Sequence, residues 1–541
     1  MTGRRTRRRK QKQRELMRII FTALVIVSVG VLLLLLVNKG MIKRDDGSAK
    51  IPGKAETSTV TQVPAIDAGA TATPESVPTQ EPMTTPEPTG TPEPTPTPEP
   101  TPTPFPTPVL EPLFFSSSDI IPVISVKTEG EQPIISRDVY VNCEVTVGNA
   151  EAAYEMRDVK AGIRVRGNSS AYYGDEEKVL TKEVPYRIKF EKKCNLLGLN
   201  NGEKFKSWVL LRADKGLIRD DIAFRFGRLF LGERYYCSDA RWVHLYVNDE
   251  FKGVYLLCEQ SQVKEGRIEV NEPEPGETGT DVGYLLEIDN YAEQEDNPFF
   301  KMNYEKVKLT DVHGVTQQIT YANYAIKSEV TSDAQVEFIS EYIRNMFRLV
   351  YEACENQNYL MFDEEYNLVP ASYDNCKDTI EAVMDTESVA AMYLVFEIMR
   401  DRDGGEGSFY MCVDFSENAK YPKLTFLCPW DFDWTCQGDA TGRYYAAGFD
   451  DPGFVEKYGD RSNPWFILLA QEDWFMEIVR DKWSALQEDR AVYACIEEER
   501  QNLELYKEDL NRKNKAATAS AKVLLDWIER RVEWLDTEWI R

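Results

Sequence analysis

The sequence predicts an α+β fold in which a β-rich first half and an α-rich second half form two lobes around one active-site cleft. Three observations predict it. Apolar or alternating runs bounded by turn residues recur between 121 and 288. Helical spacing dominates from 333 onward. The chain, 541 residues and 42% hydrophobic, is long enough to bury a large core.

The expected strands are Ile121–Val126, Val139–Val147, Ala161–Val165, Val184–Phe190, Ser207–Leu211, Trp242–Val247, Lys252–Cys258 and Gly283–Ile288. Asn248-Asp249-Glu250 reads as a hairpin turn between two of them. Leu217–Leu231 reads as a helix with Ile218, Ile222, Phe226 and Leu229 on one stripe. Further helices are expected at Asp333–Glu355, Glu387–Arg400, Trp465–Leu486 and Ala519–Trp539.

The folded part is expected to fill 119–541, and what precedes it reads differently. Residues 1–18 form a basic tail, with nine Lys or Arg between positions 4 and 18. Ile19–Val37 carries no charge, and its nineteen residues span about 28 Å as a helix, close to a bilayer's hydrocarbon thickness. No small-x-small cleavage site follows it, so residues 19–38 read as a transmembrane signal anchor. The positive-inside rule puts 1–18 in the cytoplasm and the rest outside a cell membrane crossed once. Residues 45–118 hold 17 of the 28 prolines and approach a Thr-Pro/Glu-Pro repeat, so they read as an extended disordered linker able to cross a cell wall.

Charge removes some function classes. Residues 1–50 balance at +10, although the whole chain carries −26, so the remainder is strongly acidic and a nucleic-acid partner is not expected. The two histidines are His244, in an apolar strand, and His313, in a turn; they leave little room for a histidine metal site or a serine-hydrolase triad. The ten cysteines occur singly, without a CxxC pair, which argues against a zinc module. Most read as buried thiols, and Cys412 and Cys428 are candidates to face each other across a hairpin.

The chemistry concentrates in Asp385–Gly438. Asp385 reads as the cap of a helix with Val389, Met392, Tyr393 and Phe396 at helical spacing. The helix breaks into the acidic, glycine-rich Asp401-Arg-Asp-Gly-Gly-Glu-Gly-Ser408, and a hairpin then leads to Pro429-Trp-Asp-Phe-Asp-Trp434. Protein kinases present a helix, an aspartate loop, a hairpin and a second aspartate motif in this order, the first aspartate as base and the second as magnesium ligand. Here those are Asp403 and Asp431-Phe432-Asp433, with Ser408 five residues after the first. Carboxylate oxygens suit magnesium, a hard cation. Upstream, Arg187 and Lys189 share one face of a strand, and Arg166 precedes a small-residue turn where backbone N–H groups can approach phosphates. Arg219-Asp-Asp221 opens the next helix and can hold a strand lysine in place. Paired carboxylates also serve glycosidases, at separations of about 5–10 Å.

Taken together, six ordered motifs resemble the CotH kinase family, the spore-coat-type atypical protein kinases. They are Arg164-Val-Arg-Gly-Asn-Ser-Ser170, Pro185-Tyr-Arg-Ile-Lys-Phe190, Trp208-Val-Leu-Leu-Arg-Ala-Asp214 with Leu217-Ile-Arg219, Tyr246–Glu259, Glu397 with Asp403 and Ser408-Phe-Tyr410, and Pro429-Trp-Asp-Phe-Asp433 with Gly438. The likeness extends over about 120–540, to Trp465, Phe475 and Trp483 and to Trp527, Arg531 and Trp534. It implies a two-lobed kinase-like fold that binds ATP with Mg2+ or Mn2+ and phosphorylates Ser/Thr of surface or spore-coat proteins. It further implies Asp403 as catalytic base and Asp431 and Asp433, with Ser408, at the metal. Lys189, with Arg187, Arg166 or Lys182 as alternatives, would meet phosphate, and Trp430 or Trp434 would wall the nucleotide. Ser408 stands where some members carry Asn, and a hydroxyl is the weaker magnesium ligand, so the alternative expectation is a catalytically weak or inactive kinase-like scaffold at the cell wall.

Overall fold

Alternation of apolar and polar side chains closes the first seven strands into a barrel. They are β1 (Val123–Thr128), β2 (Val141–Gly148), β3 (Met156–Val165), β4 (Tyr186–Cys194), β5 (Phe205–Arg212), β6 (Ala240–Val247) and β7 (Glu250–Glu259), in a computed structural model that describes residues 121–540 apart from 169, 173–174 and 213–216. The basic tail, the anchor and the linker lie outside the described residues, as does Ala213-Asp214 of the third motif. Among the described residues no helix is long and apolar enough to cross a membrane. The barrel order is β1-β2-β3-β4-β5-β7-β6, closed by the parallel pairing of β1 with β6.

Period-two alternation fills the interior with Ile124, Val145, Ile163, Ile188, Trp208, Leu245 and Leu257. On β5, β6 and β7 the outward residues Val209, Trp242, Leu256 and Cys258 are apolar as well, and they join a second core. Strands buried on both faces read as continuous apolar runs, as Trp208-Val-Leu-Leu211 does. The outer face of β3 and β4 is instead cationic: Arg164 lies opposite Arg187, and Lys189 opposite Gly162.

Among the described residues there are five short helices and six long ones, most of them around that second core: α1 (Glu176–Thr181), whose Val179 packs into the barrel instead, α2 (Leu217–Leu231), α3 (Asp333–Asn356), α4 (Cys376–Glu381), α5 (Thr386–Met399), α6 (Pro452–Tyr458), α7 (Pro464–Leu469), α8 (Asp473–Glu488), α9 (Ala491–Leu505), α10 (Lys507–Lys513) and α11 (Ala517–Trp539). Helix α5 is buried on every side except at Glu387, which makes it the central post. Between α2 and α5 run β8 (Gly283–Ile288), β9 (Phe299–Met302), β10 (Lys308–Thr310), β11 (Thr316–Gln318), β12 (Ala322–Ile326), β13 (Leu360–Phe362) and β14 (Leu368–Pro370); β15 (Phe409–Asp414) and β16 (Thr425–Phe426) follow α5. One sheet orders β16-β15-β8-β12-β9, so it takes strands from both halves of the chain.

The mixed α+β class and all eight expected strands are present, and so is the turn at Asn248-Asp249. The differences are local. Trp465–Leu486 is two helices: Asn463 caps α7 with Pro464 in its first turn, and the chain turns at Ala470 before α8. The α2 stripe is broader than expected, because α2 lies between barrel and α5: Phe224 and Phe230 are buried with Ile218, Ile222 and Phe226, whereas Leu229 is partly exposed. His244 pairs with Asp509 at 2.9 Å, and His313, in its turn, shares a 2.7 Å hydrogen bond with the Tyr444 carbonyl. All ten cysteines are free thiols. Cys412 faces Thr425 in the hairpin register, and Cys428 lies beyond the strand beside the Ser261 hydroxyl at 3.1 Å, so the two do not face each other.

Candidate active site

The site is built where α5 ends and where the β15–β16 hairpin returns. Helix α5 stops at Arg400, in left-handed conformation (φ 46°), and delivers the acidic loop. The Asp403 carbonyl accepts the N–H groups of Glu406 and Gly407, both at 2.8 Å, which curls the loop tightly. Segment 461–463 clamps it from outside: the Gly405 N–H donates to the Arg461 carbonyl at 2.9 Å, and Asn463 Nδ2 donates to the Gly404 carbonyl at 2.9 Å. Any Cβ at position 405 would collide with the carbonyls of Arg461 and Ser462, so only glycine permits this approach.

On the other side of the hairpin Asp431 also takes a left-handed backbone (φ 63°), as does Ser408 (φ 54°). Non-glycine residues pay for that conformation, and its presence at two facing polar positions marks a constrained site. The Ser408 hydroxyl stands 3.5 Å from Asp431 Oδ2. Between Asp431 and Asp433 the Phe432 ring is fully buried, 5.6 Å from the Phe396 ring of α5, and so fixes both aspartates. The Phe432 N–H donates to Asp220 Oδ1 on α2 at 2.9 Å.

Five aspartates therefore share one neighbourhood: Asp220, Asp401, Asp403, Asp431 and Asp433. Burial, then the charges of Asp433 and Asp431, pushes the Asp220 carboxyl well above the usual range. Crowding by protein and the Asp433 charge push Asp431 up to about 7, although its residue surface remains open to solvent. Burial, then Asp403, raises Asp401 in the same direction. The Arg166 charge favours ionised Asp220 and Asp431, and its guanidinium lies 5.3 Å over the Trp430 ring. Crowded carboxylate oxygens are a donor set suited to a hard divalent cation, so Asp431, Asp433 and Asp220 fit magnesium or manganese.

Asp403 is held differently. Arg461 pairs with its carboxylate and also reaches Glu406 at 2.7 Å, while stacking 5.0 Å over Trp434. Burial raises the Asp403 carboxyl above its ordinary value, and Arg461 opposes that shift. Trp434 packs against Phe454 and Tyr458 at 5.2 and 4.7 Å, so it lies behind the loop. Trp430 instead stacks on Phe224 at 5.5 Å, on the barrel side.

Among the cationic candidates, Arg166 is the one whose charge bears on Asp220 and Asp431. Burial draws Arg187 below its ordinary value, and the like charges of Arg164 and Arg166 add to that. Lys189 is exposed, in register with Gly162 and Ser207, and Lys182 is exposed at the end of α1; among the described residues neither pairs with a site carboxylate.

Three participants were not expected from sequence. The Asp220-Asp221 pair is the sequence signal for Asp220, which joins the carboxylates rather than a strand lysine, while Asp221 accepts from Trp242 Nε1 at 2.7 Å. Arg461 lies 58 residues from Asp403, with no local pattern to flag it. Lys327, at the end of the short β12, holds Glu287, Asp289 and Glu295 at 2.8–2.9 Å, and the Glu287 charge bears on Asp431.

The far end of the fold is tied to this site through Glu397 and Arg531, which are fully buried and paired. The Glu397 carboxylate also accepts the Tyr445 and Ala446 N–H groups at 2.7 Å, and Arg531 donates to the carbonyls of Ala440 and Arg443 at 3.1 and 2.9 Å.

Comparison with known families matches residues 163–535 to the model for the CotH kinase protein. No curated protein matches the chain. The matched span contains the acidic loop, the Asp431-Phe432-Asp433 segment, the cationic strand and Arg531, and it covers most of the sequence: the chain belongs to the CotH kinase family.

Proposed function

We propose that this protein is a membrane-anchored, extracytoplasmic atypical kinase that transfers the γ-phosphoryl group of ATP to Ser/Thr hydroxyls of surface or spore-coat proteins. The observation that supports it most directly is the meeting of Asp431, Asp433 and Asp220 with Arg166, at the seam between the barrel and the α5–hairpin unit. In this reading the barrel and the helical part act as the two lobes of a kinase-like layout. Residues 19–38 anchor the chain in the membrane, and the 45–118 linker carries the domain outward along the cell wall.

The residues divide the work by position. Asp431 and Asp433, with the Ser408 hydroxyl beside them, hold Mg2+ or Mn2+; when bound, the ion neutralises phosphate charge. Asp220 fixes the Phe432 N–H and so the angle at which both aspartates project. Arg166 and Arg187 face the triphosphate, with Lys189 and Lys182 further out on the same side. Trp430 offers the flat wall nearest these cations. Asp403 accepts the acceptor hydroxyl's proton, and its raised affinity for protons suits that task. Arg461 must release Asp403 for this to happen, so acceptor binding and the Arg461 swing are one event.

A second reading, a kinase-like scaffold with little catalysis, draws on one observation: Asp403 is already satisfied by Arg461. Thermal shift of the full chain in detergent separates the two. An upward shift with ATP that requires magnesium or manganese supports the kinase, and γ-labelled ATP then reports transfer. No shift with any nucleotide and metal leaves the scaffold.

A further inference from the structure

A second cluster of metal-ligating groups lies away from the aspartates. Cys354 is in the last turn of α3, Cys376 is the first residue of α4, and Glu472 precedes α8. One ligand atom from each, two Sγ and a carboxylate oxygen, lie within 4.8 Å of one another. The two Sγ atoms are 3.8 Å apart. Two thiolates bound to one tetrahedral zinc at about 2.3 Å stand roughly 3.8 Å apart, whereas a disulfide brings them to about 2.0 Å.

The surroundings favour an ion. Glu472 occupies the position that caps α8, yet its side chain makes no capping hydrogen bond. Its carboxylate is held instead by Trp474 Nε1 at 3.0 Å, the kind of outer hydrogen bond that orients metal-ligating carboxylates. Glu355 lies beside Cys354, and among the described residues neither Glu355 nor Glu472 has an ion-pair partner. Two thiols and two carboxylates thus gather on three helix ends without a balancing cation.

We infer that Cys354, Cys376 and Glu472 bind a thiophilic divalent cation, zinc by ligand class, with water completing the tetrahedron. On binding, the two thiols release their protons to solvent and the sulfurs donate to the metal, with no change of oxidation state. The ion would tie the ends of α3 and α4, and the β13–β14 hairpin between them, to the start of α8, which packs on the central helix α5. The absence of a CxxC pair does not argue against this site, because the fold, not local spacing, brings the ligands together.

The test uses the full chain, purified under reducing conditions and loaded with zinc or cobalt chloride alone. About one equivalent of zinc should survive gel filtration, and cobalt should give a thiolate charge-transfer band that the aspartate site cannot produce. Cys354→Ser with Cys376→Ser should abolish the band, and Glu472→Gln should weaken retention by about tenfold or more. Chelation should lower Tm by ~5 °C in the parent chain and leave the cysteine variant unmoved. If that variant does not fold, alkylation mapped by mass spectrometry replaces it, with zinc protecting Cys354 and Cys376. Absence of the band, equal alkylation with and without zinc, or a Cys354–Cys376 disulfide in the purified chain would each overturn the assignment.

Discussion

Two charged clusters sit near the C-terminal end of α5, and they are built on opposite rules. At Glu397–Arg531 both groups are fully buried, the charges cancel, and backbone N–H and carbonyl groups take up remaining hydrogen-bonding capacity. At Asp220–Asp431–Asp433 carboxylates crowd together, and burial with like charge pushes Asp220 and Asp431 above the usual carboxylate range. A complete cluster holds the fold; an incomplete one awaits a ligand. The contrast separates structure from function more sharply than residue type, since both clusters consist of carboxylates and arginine.

The largest effect that contrast predicts is catalytic. Asp431→Asn should cut phosphotransfer by on the order of 10³-fold and remove the metal-dependent part of nucleotide binding. Asp403→Ala should stop transfer while nucleotide binding persists, as calorimetry with Mg-ATP would read. If Asp431→Asn transfers phosphate normally, the incomplete cluster is not the site.

Next comes stability. Arg531→Ala strands a buried Glu397 and should cost about 3–5 kcal/mol in urea denaturation, whereas Asp431→Asn should cost nothing. Equal losses in the two variants would erase the distinction.

The third prediction concerns pH. Raised pKa values mean that the fold keeps protons which the unfolded chain gives up near pH 4. The stabilisation is complete below that value and is lost as pH rises through about 7, the Asp431 value. Thermal midpoints of the metal-free chain should therefore fall between pH 5 and pH 8, Mg2+ should recover the loss at pH 8, and Asp431→Asn should shrink the fall. A fall of the same size in Asp431→Asn removes the cluster from the explanation.

The smallest effects fall on the cationic face. Arg166→Ala should raise KM for ATP by about tenfold, ~1.4 kcal/mol, and exposed Lys189→Ala by less than about twofold. The reverse order would move the triphosphate outward along β4.

Much of this was legible in the sequence because its signals are local. Alternation in Tyr186-Arg-Ile-Lys-Phe190 gave both the barrel interior and the cationic face, and the helix, loop and hairpin order placed Asp403 and Asp431 on neighbouring turns. Barrel closure was not legible, since it depends on β1 meeting β6 about 120 residues later. Strands β9 to β14 are three to five residues long, too short for any period to show. Arg461, Asp220 and Lys327 owe their roles to packing between distant segments, and composition says nothing about that.

The hairpin also decides where the chain tolerates a change of length. Phe432 is fully buried against Phe396 between Asp431 and Asp433, so one residue added between Phe426 and Asp431 would displace that ring and both aspartates with it. The tip around Glu417 and Asn418 is exposed and bears no such constraint. Insertions, tags or reporter groups placed there would leave the carboxylates undisturbed, and that turn is the natural handle for anyone wishing to label this molecule.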